Sequence, residues 1–354
     1  MKFVHVADMH FDSPFTVLSA KSNLGNVRRL EQRKTFKKMI DYIKENNIDY
    51  LFISGDLYEH EYVRKTTIDY INALFKGIPN TKIFISPGNH DPYIKNSIYE
   101  TYKFNDNVHI FKGNIELVET TFANIYGMGF TEFYMNSSPL DYINVKESNK
   151  PNILIMHGDL NGGRDKEGLA YNPISEKDLK LLGFEYIALG HIHKPKVSGN
   201  IIYPGSMISF GFDELGEHGM VVGEIIDGEV KTKFVKLDER EFTELKLNVE
   251  MFNSKESLIE HLTELNLSEN KMYKIILTGK RNFEINVRDI LDTVINDRIL
   301  KIKDNTKINY DLDTISREDT LKGIFVREAL KLLETKEYTR EEIEKAIEIG
   351  LEAM

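Results

Sequence analysis

The chain has 354 residues, 41% hydrophobic and 29% charged, proportions that suit a soluble globular protein too long for one ordinary core. No run of 18 or more apolar residues could span a bilayer, and Met1-Lys2-Phe3-Val4-His5 runs into a strand pattern, not a signal peptide. Cysteine is absent, which excludes disulfides, thiolate zinc sites and cysteine nucleophiles and makes the cytoplasm the default expectation; the net charge of −10 excludes a grip on a polyanion by overall charge alone.

The first part alternates short apolar runs with helical patterns. Phe3–Ala7, Tyr50–Ser54, Lys82–Ser86, Ile153–Met156 and Tyr186–Leu189 read as strands. Val27–Glu45 and Val63–Lys76 read as helices between them. This alternation predicts an α/β sheet sandwich. After His193 the pattern turns to β: Lys196–Ser198, Ile201–Tyr203, Met220–Ile226 and Val230–Leu237, with a hairpin turn at Asp227-Gly228.

A new unit begins near Glu239–Phe242. Phe242–Val249 reads as a strand, Ser254 caps a helix to about Leu265, and Met272–Thr278 is a strand. A helix over Asn286–Asn296 and a strand over Ile299–Ile308 complete a β-α-β-α-β module. Two helices end the chain, with capping boxes read at Ser316/Asp319 and Thr339/Glu342. Leu321, Ile324, Phe325, Ala329 and Leu332 form one apolar stripe, and Ile343, Ile347 and Leu351 another. The expected domains are thus 1–240, 241–312 and 313–354.

Five polar clusters each follow a strand run: Asp8-Met9-His10, Gly55-Asp56, Gly88-Asn89-His90-Asp91, His157-Gly158-Asp159 and Gly190-His191-Ile192-His193. Ligands of α/β sheets bind beyond the carboxyl ends of strands, so five such ends converge on one edge. Carboxylates, imidazoles and one amide suit manganese, iron or zinc better than calcium or magnesium alone. Two such ions neutralise a phosphodiester and activate a bridging water, one carboxylate bridging them and a spare imidazole serving the leaving oxygen. Singly these motifs are weak, but the ordered set holds five of the ten histidines.

In this order the residues resemble the calcineurin-like metallophosphoesterases, and among these the SbcD-type DNA repair exonucleases, nearest the bacterial YhaO branch. Val6-Ala7-Asp8-Met9-His10-Phe11-Asp12-Ser13-Pro14 carries that likeness, as do Tyr203-Pro204-Gly205-Ser206, Gly323-Ile324-Phe325-Val326-Arg327 and the ending Gly350-Leu351-Glu352-Ala353. The resemblance implies a four-layer α/β/β/α sandwich with a small α/β capping domain and C-terminal helices. It implies two manganese ions: Asp8, His10, Asp56 and His193 on one, Asp56, Asn89, His157 and His191 on the other, Asp56 bridging. His90 is then the catalytic, non-ligating histidine. Family members often carry histidine three residues after the bridging aspartate; here Glu59 stands there, followed by His60. Glu59, His60, Arg164 and Lys194 are the candidate substrate contacts, although a solvated loop also accounts for Arg164, Lys166, Lys194 and Lys196. Tyr58 and Phe11 are candidates to stack on bases.

The implied activity is a 3′–5′ DNA exonuclease that works in repair with an SMC-like coiled-coil ATPase; a homodimer stays open, and no membrane association is expected. A phosphodiesterase or phosphatase acting on a small nucleotide substrate is the second reading, favoured by the net charge of −10. A scaffold with a decayed metal site is the third, and the complete ligand set disfavours it.

Overall fold

The computed structural model describes residues 1–15, 24–164, 168–335 and 337–354, and Lys166 lies outside them. The chain divides into two compact units, Met1–Thr243 with Asn270–Met272, and Glu244–Glu269 with Tyr273–Met354.

The first unit holds two six-stranded sheets. In one, Lys2–Val6 lies between Tyr50–Ile53 and the antiparallel Gly219–Ile226, and Lys82–Ile85 and Val108–Ile110 extend the parallel side. In the other, Asn152–His157 lies between Asn124–Gly127 and Tyr186–Gly190, all parallel. The period-2 alternation of each strand builds the layers. Phe3, Tyr50, Phe52 and Phe84 point inward and meet Ile153, Ile155, Tyr186 and Ala188 in one core. Val4, Val6, Leu51, Ile53, Ile83 and Ile85 point outward against Phe36, Met39, Ile40 and Ile43 of the helix Leu24–Glu45 and Ile68, Ile71 and Phe75 of the helix Lys65–Lys76. Leu154, Met156, Ile187 and Leu189 face the opposite outer layer with Leu179 of the helix Glu176–Leu181. Helix, sheet, sheet, helix is therefore the layer order, as the resemblance implies. Strands Val108–Ile110, Glu116–Glu119 and Asn124–Gly127 escape the sequence reading because they are short and carry His, Glu and Asn.

The second unit holds most of a three-stranded sheet formed by Glu241–Asn248, Lys271–Thr278 and Ile299–Asp304. The helices Lys255–Glu264 and Val287–Thr293 bury Leu258, Leu262 and Ile290 with Ile275, Leu277 and Ile302 of that sheet. Ser254 and Thr339 both make full capping boxes, with Ser257 and Glu342. The box read at Ser316 does not form: Ser316 closes the helix Leu312–Ser316, and Thr320 accepts from the Gly323 amide to start the helix Leu321–Thr335. The two C-terminal stripes pack on each other in part. Ile343, Ile347 and Leu351 are buried against Val326, Phe325 and Ala329, while Leu321, Ile324 and Leu332 stay exposed. Among the described residues no helix is long and apolar enough to cross a membrane.

Candidate metal centre

Strands of both sheets deliver the five polar clusters to one edge. Asp8, Asp56 and Asn89 follow adjacent strands of the first sheet; His157 ends one strand of the second, and His191 follows its parallel neighbour. Backbone bonds tie these turns together, Asp8 N to Gly55 O at 3.1 Å, His10 N to Asp56 O at 2.9 Å and Gly158 N to Gly190 O at 3.1 Å. Four candidate ligands hold positive φ without being glycine: Asp8 at 52°, His10 at 45°, Asp56 at 53° and His191 at 107°. Such strain collects where surrounding structure enforces a functional geometry. A Cβ on Gly190 would stand 1.8 Å from Ser54 O, and one on Gly88 2.2 Å from Asp56 Oδ1, so only glycine permits these turns to close up. Asp91, fully buried, braces them by accepting from the amides of Asp56, Leu57 and Gly88 and from the Tyr99 hydroxyl.

Three imidazoles are fixed by their Nδ1 atoms. His157 Nδ1 meets Ser54 O at 2.8 Å, His10 Nδ1 meets Glu59 Oε1 at 2.8 Å and His193 Nδ1 meets Glu214 Oε1 at 2.5 Å. Each partner can only accept, so each Nδ1 carries hydrogen and a neutral ring keeps a bare lone pair at Nε2. Those lone pairs face other acceptors. His10 Nε2 lies 3.1 Å from His193 Nε2 and 3.6 Å from Asp56 Oδ2, and His157 Nε2 lies 3.0 Å from Asn89 Oδ1 and 3.3 Å from Asp56 Oδ2. Asp8 Oδ1 stands 4.0 Å from His193 Nε2. A buried cluster of acceptors is stable only with protons or cations among them. Burial opposes a charged ring at His157, yet Asp56 and Asp8 outweigh it and push the ring up to about 9; Glu214 and Asp8 do the same for His193, again to about 9. The donor set of imidazole, carboxylate and amide oxygen, with the rings of His10, His157 and His193 backed by a carboxylate or carbonyl, fits divalent transition metals. Asp8, His10 and His193 form one candidate ligand group, and Asp8, Asp56 and His157 another.

Of the other residues singled out from sequence, His191, His90 and Glu59 touch this centre. His191 stacks on Tyr171 and lies edge-on to His157, ring centroids 5.3 Å apart in both cases, and its amide donates to both Asp8 oxygens. His90 is exposed and could join His10 and Asp56 in a third ligand group. Its Nδ1 meets Glu59 Oε2 at 2.9 Å, so Glu59 holds His10 with one oxygen and His90 with the other. His60 lines a pocket of about 400 Å³ with Glu59, His90, Phe133, Tyr134 and Tyr171. Lys194 is exposed beside His193, and Arg164, also exposed, donates to Gly168 O at 2.6 Å. Phe11 and Tyr58 are wholly buried in the core, so neither can stack on a base.

Sequence reasoning missed Glu214, the carboxylate behind His193, because it sits in a loop without strand or motif. Ser206, of the Tyr203-Pro204-Gly205-Ser206 motif, held the signal: its amide donates to His193 O, and its hydroxyl approaches Glu214 at 3.3 Å and His218 Nδ1 at 2.9 Å. Tyr203 of the same motif donates to Gly158 O.

A two-sheet sandwich whose strand ends gather such a donor set defines a metallophosphoesterase. The sequence profile of the calcineurin-like phosphoesterases matches residues 1–195, and the chain belongs to that family. It is 26% identical over 249 residues to the Bacillus subtilis (strain 168) protein described as uncharacterized metallophosphoesterase YhaO, a match spanning 66% of this chain and 60% of that relative. It is 29% identical over 271 residues to the SbcD component of the nuclease SbcCD of Staphylococcus saprophyticus, spanning 67% of this chain and 69% of that protein.

Asp56 Oδ2 lies 3.6 Å from His10 Nε2 and 3.3 Å from His157 Nε2, a position between two of the rings that would hold metal. Asp56→Asn is expected to bind fewer than two manganese ions per folded chain, measured by elemental analysis after dialysis. Two ions at wild-type affinity would remove Asp56 from the bridging position.

Proposed function

We propose that the chain is a two-metal phosphodiesterase, and specifically a manganese-dependent DNA nuclease that removes nucleotides from an end in the 3′–5′ direction. The observation that carries this reading is the convergence of His10 and His157 on Asp56, with His193 turned against His10 and Asp8 and the exposed His90 beside them. Asp8, His10, Asp56 and His193 would hold one ion and Asp56, Asn89, His157 and His191 the other. The ions supply charge neutralisation and a water of lowered pKa. Glu59 holds His90 through Nδ1, leaving Nε2 as the nitrogen offered to the leaving oxygen. Phe133, Tyr134 and Tyr171 line the adjoining pocket with His60, which suits the stacking of a nucleotide base, and the exposed Lys194 and Arg164 are further candidate contacts outside that lining. The Staphylococcus relative, a nuclease component by name, supports DNA over a small ester, and its match reaches beyond the phosphoesterase profile. The net charge of −10 favours the second reading, hydrolysis of a small nucleotide ester.

Two experiments test this. End-labelled duplex and single-stranded DNA, incubated with manganese or magnesium and with or without chelator, should be shortened only when metal is present. Intact DNA alongside rapid hydrolysis of a small bis-ester would favour the second reading. His90→Asn should lose about 10²–10⁴ in rate while keeping both ions, the range of a positioned proton donor; metal lost together with activity would make His90 a ligand.

A partner is part of the proposal. Leu321, Ile324 and Leu332 share one face of the helix Leu321–Thr335 and are 71%, 49% and 44% exposed, opposite the buried Val326. An apolar helix face of this kind docks in a partner groove, here that of an SMC-like coiled-coil ATPase. The full chain carrying Leu321→Asp, Ile324→Asp and Leu332→Asp should lose co-purification with that ATPase and keep hydrolysis of a small bis-ester. Retained co-purification would place the partner elsewhere.

A further inference from the structure

A buried polar stripe runs along the helix Leu24–Glu45, and the chemistry proposed above does not use it. Arg28 is fully buried, and Gln32, one turn on, is 1% exposed. Each grips a loop of the metal centre. The Gln32 amide donates to the carbonyls of Met9 and His10. Arg28 Nη2 donates to Ser209 O at 2.8 Å and to Asp238 Oδ2 at 2.9 Å, while Asp238 Oδ2 accepts from Ser209 N at 2.9 Å. The backbone of Ser209 is thus held on both sides. Ser209 Oγ donates to Glu214 O, and the next amide, Phe210 N, donates to Glu214 Oε2 at 3.0 Å; Glu214 Oε1 meets His193. One helix therefore holds both the turn that presents His10 and the loop that backs His193.

Stability alone gives little reason to keep such a stripe. A buried ion pair roughly offsets its own desolvation, and well-packed apolar groups stabilise as much or more. What the pair provides is fixed geometry where the backbone needs it. His10, at φ 45°, is strained and stays so only under outside restraint, which the Gln32 amide supplies. Asp238 belongs to the segment through which the chain leaves the catalytic unit at Thr243.

We propose that Arg28, Gln32 and Asp238 are positioning residues for the ion that His10 and His193 would hold, the Arg28–Asp238 pair keeping Glu214 on His193 through Ser209. This rests on the metal-centre reading. Loss of an outer support of a ligand weakens metal binding about 10–100-fold.

The test is a manganese titration of the full chain by calorimetry, with electron paramagnetic resonance to separate coupled from single ions. Gln32→Met keeps the length of the side chain and removes no charge; Asp238→Asn keeps its shape. Each variant should bind one ion as wild type does and the other about 10–100-fold more weakly, replacing the coupled signal with that of a single ion at limiting metal. Saturating manganese should restore the rate on a small bis-ester. If both variants bind two ions with wild-type affinity and only their thermal midpoint falls, the stripe is structural and the proposal fails. Should Asp238→Asn not fold, Gln32→Met alone decides. Fewer than two ions in the wild type would overturn the metal-centre reading itself, a result distinct from failure of the variants.

Discussion

Buried acceptors confronting one another around Asp56 are the constraint on which the rest of the structure depends. Asp56 is 1% exposed, and His10, His157 and Asn89 all turn acceptor atoms toward it or toward one another. Uncompensated, such an arrangement costs several kcal/mol in lost solvation. Protons can relieve it in part, which is why His157 and His193 hold theirs up to about 9. Divalent cations relieve it more completely, and their binding must then displace those protons.

A site that repels itself has to be held together by everything around it. The sandwich does this by alternation: each strand spends one face on the inter-sheet core and the other on a helical layer, so its end is fixed. Asp91 then ties the Asp56 and Asn89 turns, Gly190 lets the His191 turn come against Ser54, and Glu59 and Glu214 lock the rings of His10 and His193. The positive φ values at Asp8, His10, Asp56 and His191 are the local cost of that convergence.

The strands and the donor set were legible in the sequence because burial on both faces writes continuous apolar runs, and each run is followed by an Asp, His or Asn, in most cases beside glycine. Lys2–Val6, Tyr50–Ile53 and Tyr186–Gly190 are such runs. What could not be read was whatever depends on folding at a distance. Glu214 reaches His193 across 21 residues, and Arg28 reaches Asp238 across 210, so no local pattern marks either. Tyr58 looked like a base-stacking residue from its place beside Asp56, but burial put its ring in the core. The C-terminal stripes were visible from their spacing, whereas the split of one stripe into a packed half and an exposed half follows from the neighbouring helix.

The most direct measurement is anomalous diffraction at the manganese edge from crystals of the full chain grown with manganese. The account predicts two peaks about 3.5–4 Å apart with the Asp56 carboxylate between them, the separation usual for two-metal phosphoesterase chemistry. A single peak, or two that leave Asp56 outside both coordination spheres, would contradict it.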